Sequence, residues 1–319
     1  MAYTPEKPLL IGTDCSGIDA PIQALRHLGI PFRHVFSSEI DSYCIQSLKA
    51  NYNPEIIFGD PDGPFKNGDI TKRDIANVPA IDMYICGFPC QPFSQAGDRK
   101  GFQHKSGNVF WSCVDVIKAR QPKFFILENV RGLLWHSRPK NSRSGTTGPT
   151  WNTILESLDS LEGYTLHWKV LNTKNYGIPQ SRERLYIVGV QQGVDFTWPA
   201  YVKTRALSGF VNHENNNSQP WRRQIAFDTI NPRAIFIDPD FLKYTTYPMA
   251  HKVAPPMLAR ANLWCCPKMR YADCKECLSL QGFPTDFVQV VSDTQLRKQV
   301  GNSMSVNVLI AIFRMLHMT

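Results

Sequence analysis

Long apolar stretches are missing from this chain of 319 residues. Even "VLIAIF", near the C-terminus, falls far short of the ~20 residues a helix needs to cross a bilayer, so no membrane partner is expected. The N-terminal "MAYTPEKPLL" has no basic flank followed by an apolar run, so no secretory signal is expected. Internal repeats are absent as well. A disulfide framework is also lacking: the 9 cysteines are odd in number and irregularly placed, which points to a reducing, intracellular compartment, cytoplasm or nucleus. "CKEC" (Cys274, Cys277) has metal-like spacing, but the adjacent pair Cys265 and Cys266 offers no second knuckle. "DCKECLSLQGF" reads as a helix, and no metal site is expected. An acidic surplus is missing too: 35 Lys and Arg against 27 Asp and Glu leave a net charge of +8, which favours a polyanionic partner. What remains, with 43% hydrophobic residues, is a composition able to bury a sizeable core.

The first two-thirds alternate short apolar runs with amphipathic patterns. "PLLIGTDC", "FRHVFSSE", "AIDMYICG", "KFFILEN" and "RLYIVGV" read as strands. "APIQALRHLG", "DSYCIQSLKANY", "VFWSCVDVIKARQ" and "WNTILESLDSL" read as the helices between them. This alternation predicts an α/β fold, a doubly wound, mostly parallel sheet with helices on both faces, over residues 1–194. After residue 194 the rhythm breaks into polar, irregular sequence, predicting a second, smaller domain at 195–284. Residues 285–319 are expected to form a hinge and a helix, "GNSMSVNVLIAIFRML", that returns to the first domain. The stretch 136–150 reads as a surface loop.

Chemistry is concentrated where strands end. "IDMYICGFPC" runs out at Cys90, hemmed by Pro89 and Pro92, whereas Cys86 lies within the run as a packing thiol would. "KFFILENV" ends on Glu128, and "IPQSRERLYIVGV" begins with Gln180, Arg182 and Arg184. The carboxyl ends of strands in a doubly wound sheet share one crevice, so Cys90 and Glu128 are expected to meet there. A thiol nucleophile beside a carboxylic acid suits attack on an electron-poor ring whose nitrogen must be protonated.

These segments, in order, resemble the cytosine-5 DNA methyltransferase family. "GFPCQPFS" is similar to its Pro-Cys loop, "LENVRGLL" to its Glu-Asn-Val motif, and "QSRERLYIVG" to its Gln-x-Arg-x-Arg motif. "RYADCKECLSLQGFP" and "GNSMSVNV" resemble the motifs that follow its variable region, leaving only residues 195–265 unmatched. The resemblance implies a Rossmann-like domain that binds S-adenosyl-L-methionine, a small target-recognition domain, and double-stranded DNA as partner of a monomeric enzyme.

The resemblance also implies roles. Cys90 would add to carbon 6 of a flipped cytosine, Glu128 would protonate ring nitrogen 3, and Arg182 and Arg184 would orient the base. Gly17, Ile18, Asp19, Glu39, Ile40, Asp69, Ile70, Phe88, Pro89, Asn108, Val109, Asn302 and Ser303 would line the cofactor site. Gln91 and Ser94 would lie on the loop that closes over DNA. Outside the resemblance, in the unmatched stretch, Arg222 and Arg223 of "PWRRQ" are candidate base readers by their own chemistry, with a surface turn as the alternative reading. There is one departure: "DCSGIDAP" keeps Gly17 but places Asp19 at the second glycine of the family's cofactor loop, where its charge is expected to face the methionine end of the cofactor. The rival expectations are the tRNA-methylating branch of the same family, whose Cys-Phe-Thr signature is not found here, and an inactive DNA-binding regulator. The presence of Cys90, Glu128 and both arginines speaks against the regulator.

Overall fold

Side chains that alternate along each central strand send one set to each face of a sheet, and both sets here are apolar. Strands β1 (Leu9–Asp14), β2 (Phe32–Ser38), β3 (Ile56–Phe58), β4 (Met83–Cys86), β5 (Phe124–Val130), β6 (Tyr164–Asn172) and β7 (Glu183–Gln191) build one sheet in the order β3-β2-β1-β4-β5-β7-β6. Met83, Ile85, Phe124 and Ile126 point to one face, and Tyr84, Cys86, Phe125 and Leu127 to the other. Helices cover both faces, as a sheet buried on both sides requires. The first five strands pair in parallel, whereas β7 runs antiparallel to both β5 and β6. The computed structural model describes residues 3–89, 109–139, 142, 145–215, 217, 233–239, 252–260 and 263–318.

Helix α1 (Ala20–Leu28) starts with proline in its first turn and stops at Gly29, whose left-handed backbone (φ 64°) caps the end. Helix α2 (Ser42–Asn51) is started by Asp41, whose carboxylate accepts from Tyr43 N. Helices α3 (Val109–Arg120) and α4 (Pro149–Asp159) cover the opposite face through Phe110, Val114, Trp151 and Ile154.

A separate three-stranded antiparallel sheet is formed by β8 (Phe236–Ile237), β9 (Trp264–Cys265) and β10 (Arg270–Tyr271), and α5 (Cys274–Gln281) follows it in the chain. Helix α5 starts on a capping box in which Asp273 and Glu276 satisfy each other's backbone N–H groups. Glu276 also accepts a bidentate fork from the buried Arg270 (2.7 and 2.9 Å). The cysteines beside it are neutral thiols: burial pushes Cys274 and Cys265 up to about 12 and Cys266 to about 11. Among the described residues no group of three or more His, Cys, Asp or Glu is arranged to hold a metal, and no helix is long and apolar enough to cross a membrane.

The structure differs from the sequence expectation in three places. β3 and β6 were not anticipated, because β3 has only three residues and β6 is an edge strand with just Leu171 and Asn172 buried. The C-terminal segment is not one helix. Helix α6 (Asp293–Asn302) ends at Ser303, which is extended (φ −69°, ψ 154°), and α7 (Val306–Arg314) begins afresh. The carbonyls of Val300, Gly301 and Ser303 are bonded by side chains of Gln281 and Arg182, so this corner is held by tertiary contacts that helical periodicity does not register. Helix α7 does return to the first part of the chain, packing on α1.

Candidate active site

Strand order reverses between β1 and β4, and Asp14, Ser38 and Cys86 lie level at the carboxyl ends of β1, β2 and β4. Such a reversal opens a crevice between the loops that leave the two strands. Its floor is braced by Asp14, which accepts two bonds from Arg73 and one from the Tyr84 hydroxyl, each at 2.7 Å. Arg73 also donates to Ser38 Oγ at 2.6 Å and lies 4.8 Å from the centre of the Phe58 ring. Neither Asp14 nor Arg73 was singled out from sequence, and only the position of Asp14 at a strand end hinted at it.

Glu128 stands in this crevice with 8% of its surface exposed. In the antiparallel β5–β7 pair, Glu128 faces Tyr186 and Val130 faces Arg184, so Arg184 is a diagonal neighbour on the face of Glu128. Its Nε lies 3.1 Å from Glu128 Oε1, an ion pair whose approach is too oblique for a hydrogen bond. Burial raises the Glu128 carboxyl above the ordinary carboxylate range, against the opposing pull of Arg184 and then Arg182. Arg182 itself points elsewhere. Its guanidinium donates to the main-chain carbonyls of Met257, Gly301 (3.0 Å) and Ser303 (2.8 Å). Its neighbour Gln180, fully buried, bonds Leu280 O, Gln281 Oε1 and Met257 N. The structure thus brings Arg184 to Glu128 and uses Arg182 to tie the start of β7 to the C-terminal segment.

The chain leading to Cys90 passes directly beside Glu128: a Cβ on Gly87 would sit 3.6 Å from Glu128 Oε2. Buried Asn129 donates to the Phe88 carbonyl at 3.1 Å, and the Phe88 ring packs against Phe110 (5.8 Å). Asn129 therefore fixes the backbone just before Pro89, a role the Glu-Asn-Val motif contained but did not declare. Cys90, Gln91, Ser94, Asn108, Arg222 and Arg223 lie outside the described residues.

On the β1–β2 side, Gly17 adopts a left-handed backbone (φ 57°) and donates its N–H to Glu39 Oε2 at 2.8 Å. Glu39 Oε1 accepts from Ile40 N (2.8 Å) and Asp41 N (3.0 Å). Burial raises the Glu39 carboxyl, and these three N–H groups hold it back. Beside it Ile40 is 76% exposed, an apolar surface next to a carboxylate. The "NGDI" turn presses on the same spot: a Cβ on Gly68 would lie 1.9 Å from Glu39 O, so only glycine allows the approach. Asp69 caps the following turn through Thr71, with the hydroxyl at 2.7 Å and the N–H at 3.1 Å. The Thr71 hydroxyl is the main influence holding Asp69 below its usual range. Ile70, Val109 and Ser303 are buried, and Asn302 is exposed at the end of α6. Ile18 is fully buried, and so is the carboxylate of Asp19, which turns inward to Ser37 and His34 on β2 instead of into the crevice.

A buried carboxyl whose ionisation is disfavoured lies beside an arginine, next to a glycine loop whose backbone meets a second carboxylate, on a doubly wound sheet of the nucleotide-binding kind. The family model for C-5 cytosine-specific DNA methylases matches residues 14–232 and 260–317, and the chain belongs to that family. It is an enzyme of DNA cytosine-5 methylation, and the tRNA-directed and inactive readings are not favoured. The Type II methyltransferase M.NgoBI of Neisseria gonorrhoeae is 34% identical over 284 residues, covering 86% of this chain and 83% of that protein. M.NlaX of Neisseria lactamica is 33% identical over 310 residues, covering 88% and 87%. In fold, the Entamoeba histolytica methyltransferase EhMeth superposes with a TM-score of 0.68 at 16% identity, covering 97% of this chain and 98% of that one. The family match leaves only 233–259 open between its two segments, a narrower gap than the 195–265 expected from motifs.

Proposed function

We propose that this methyltransferase acts on double-stranded DNA as a monomer, with Cys90 as nucleophile, Glu128 as acid and S-adenosyl-L-methionine as methyl donor. The observation that carries the reading is Glu128: a buried carboxyl raised in pKa, beside Arg184, flanking the Gly87–Phe88–Pro89 approach to Cys90.

The residues present fit the donor. The positive-φ turn at Gly17 brings an N–H to Glu39, and exposed Ile40 offers an apolar face beside that carboxylate. Inward-turned Asp19 puts no charge into the loop's open side. Gly17, Ile18, Glu39, Ile40, Asp69, Ile70, Phe88, Pro89, Asn108, Val109, Asn302 and Ser303 would hold it. When bound, it supplies an electrophilic methyl carbon on a sulfonium. The target cytosine must leave the stack to reach this crevice. Cys90, as thiolate, forms a bond to ring carbon 6. The displaced electron pair is absorbed as Glu128 gives its proton to nitrogen 3, which leaves carbon 5 nucleophilic. Arg184 holds the resulting Glu128 carboxylate and orients the base. Once carbon 5 has taken the methyl group that the donor would supply, leaving that donor as a neutral thioether, the carbon-5 proton passes to water. Cys90 then leaves as thiolate with the carbon 5–carbon 6 double bond restored, and nitrogen 3 returns its proton to Glu128.

The residues at 195–284 are proposed to carry target recognition, with Arg222 and Arg223 among the base readers and Gln91 and Ser94 on a loop that meets DNA. The test is covalent trapping. Duplex DNA carrying 5-fluorocytosine blocks the final elimination, so wild-type protein with S-adenosylmethionine should yield a denaturation-resistant adduct and Cys90→Ser none. Bisulfite sequencing of DNA from expressing cells should show methylated cytosines in one short sequence context. Lack of an adduct, with DNA and cofactor demonstrably bound, sinks the nucleophile assignment.

A further inference from the structure

The turn between β1 and α1 is pinned at every residue from 16 to 19. Ser16 N donates to Ser38 O (3.1 Å), and its hydroxyl meets Thr13 Oγ1 (2.8 Å) and Ser38 O (3.2 Å). Gly17 N is held by Glu39, and the Ile18 carbonyl accepts from the Tyr52 hydroxyl at 2.8 Å, itself bonded by Gln23 Nε2 at 3.0 Å. Asp19 completes the set. Its N–H returns to Ser16 O (2.8 Å), and its buried Oδ2 accepts from Ser37 Oγ at 2.7 Å. His34 Nε2 lies 3.4 Å from the same oxygen and 2.8 Å from Ser37 Oγ, closing a three-membered cluster beneath the turn.

Asp19 occupies a left-handed conformation (φ 47°, ψ 58°) at the N-cap of α1, yet its side chain makes no capping bond. Aspartate reaches that conformation where hydrogen bonds hold it; glycine reaches it freely. The usual employment of an aspartate at a helix start is forgone here, and the carboxylate is committed to β2 instead.

We infer that Asp19, anchored by Ser37 and His34, is a positioning residue that locks the cofactor turn, replacing the backbone freedom of a glycine with a side-chain tether to β2. The inference rests on the proposed cofactor reading. The tether fixes where Gly17 N and the Ile18 backbone stand before the cofactor arrives, so its loss falls on cofactor affinity and not on the chemical step.

Calorimetric titration with S-adenosylmethionine and S-adenosylhomocysteine, together with steady-state kinetics, tests it on the full chain. Asp19→Gly and Ser37→Ala should each weaken binding by about 10-fold or more, as expected where a buried hydrogen-bonding group loses its partner. KM for the cofactor should rise in step while kcat at saturation stays within about threefold of wild type. Asp19→Asn should restore affinity, because its amide oxygen still accepts from Ser37 and asparagine tolerates the left-handed backbone. A purely structural role would lower the melting temperature without separating KM from kcat. Asp19→Gly binding as tightly as wild type, or more tightly, overturns the lock; if that variant does not fold, Ser37→Ala decides by the same comparison. Wild type that binds neither ligand removes the cofactor reading and the lock with it. Wild type that binds, with both variants unchanged, removes the lock alone.

Discussion

A carboxyl group that delivers a proton near neutrality needs its ionisation disfavoured, and burial does this for Glu128 more strongly than Arg184 and Arg182 oppose it. Glu128→Gln keeps the shape and a hydrogen-bond donor but has no proton to give. Single-turnover methyl transfer should fall by about 100-fold or more while cofactor affinity holds, as isotope transfer and calorimetry would show. The same shift predicts a stability signature. Because the folded pKa is raised, the contribution of Glu128 is fully present below the unfolded carboxylate value of about 4.3 and is lost as pH rises through the folded value. Glutamine does not ionise, so the variant should gain on wild type across that window. Urea midpoints taken at intervals from acid to neutral pH would check it, and parallel curves would contradict it. Glu128 and Arg184 were legible in sequence because a motif named them and strand parity brings them to one face. The bond from Asn129 to the Phe88 carbonyl was not, since it depends on how β5 lies beside β4. The inward turn of Asp19 was equally hidden: its partners His34 and Ser37 lie on the next strand and carry no motif.

At the scale of elements, the start of β7 behaves as a buckle. Arg182, with 2% of its surface exposed, gathers the carbonyls of Met257, Gly301 and Ser303, while Gln180 and Gln281 bond Leu280, Val300 and Ser303 alongside it. Arg182→Ala leaves the carbonyls of Met257 and Gly301 without this donor, while Ser303 keeps Gln281, and unfolding free energy should drop by about 3 kcal/mol or more. Arg182→Lys should recover less than half of that, because an ammonium cannot reproduce the planar fork. Denaturant unfolding would measure both, and a lysine variant as stable as wild type would refute the buckle. This contact also explains what the sequence concealed. "SVNVLIAIF" has the period of a helix and is one, but a period cannot report that Ser303 breaks from α6 to present its carbonyl to a residue far away in the chain. β6 gives a weaker signal for a different reason: its alternating Tyr164, Leu166, Trp168 and Val170 meet the core without becoming buried, with polar and charged residues between them. The five central strands and four of the helices were readable because each pairs a short apolar run with a clear start or stop residue.

The molecule as a whole divides its tasks between charge and shape. A net charge of +8 draws any DNA toward it, and that attraction is blind to sequence. Discrimination requires side chains that reach base edges, and the arginines at the crevice are already engaged: Arg73 and Arg184 each meet a protein carboxylate. The readers must then come from outside the sheet. The family match ends at residue 232 and resumes at 260, so 233–259 is the stretch least bound to shared chemistry, and Arg222 and Arg223 stand on its near border. A bidentate arginine contact is worth about 1–3 kcal/mol against the wrong base, which one truncation removes entirely. Arg222→Ala or Arg223→Ala should therefore broaden the methylated motif while turnover at the best site falls less. So short an open stretch leaves little surface for reading, so the target should be small, about two to five base pairs. Genome-wide methylation profiles of wild type and both variants would settle it. A motif unchanged in both would transfer the reading role from these arginines to residues within 233–259, or to residues 136–148.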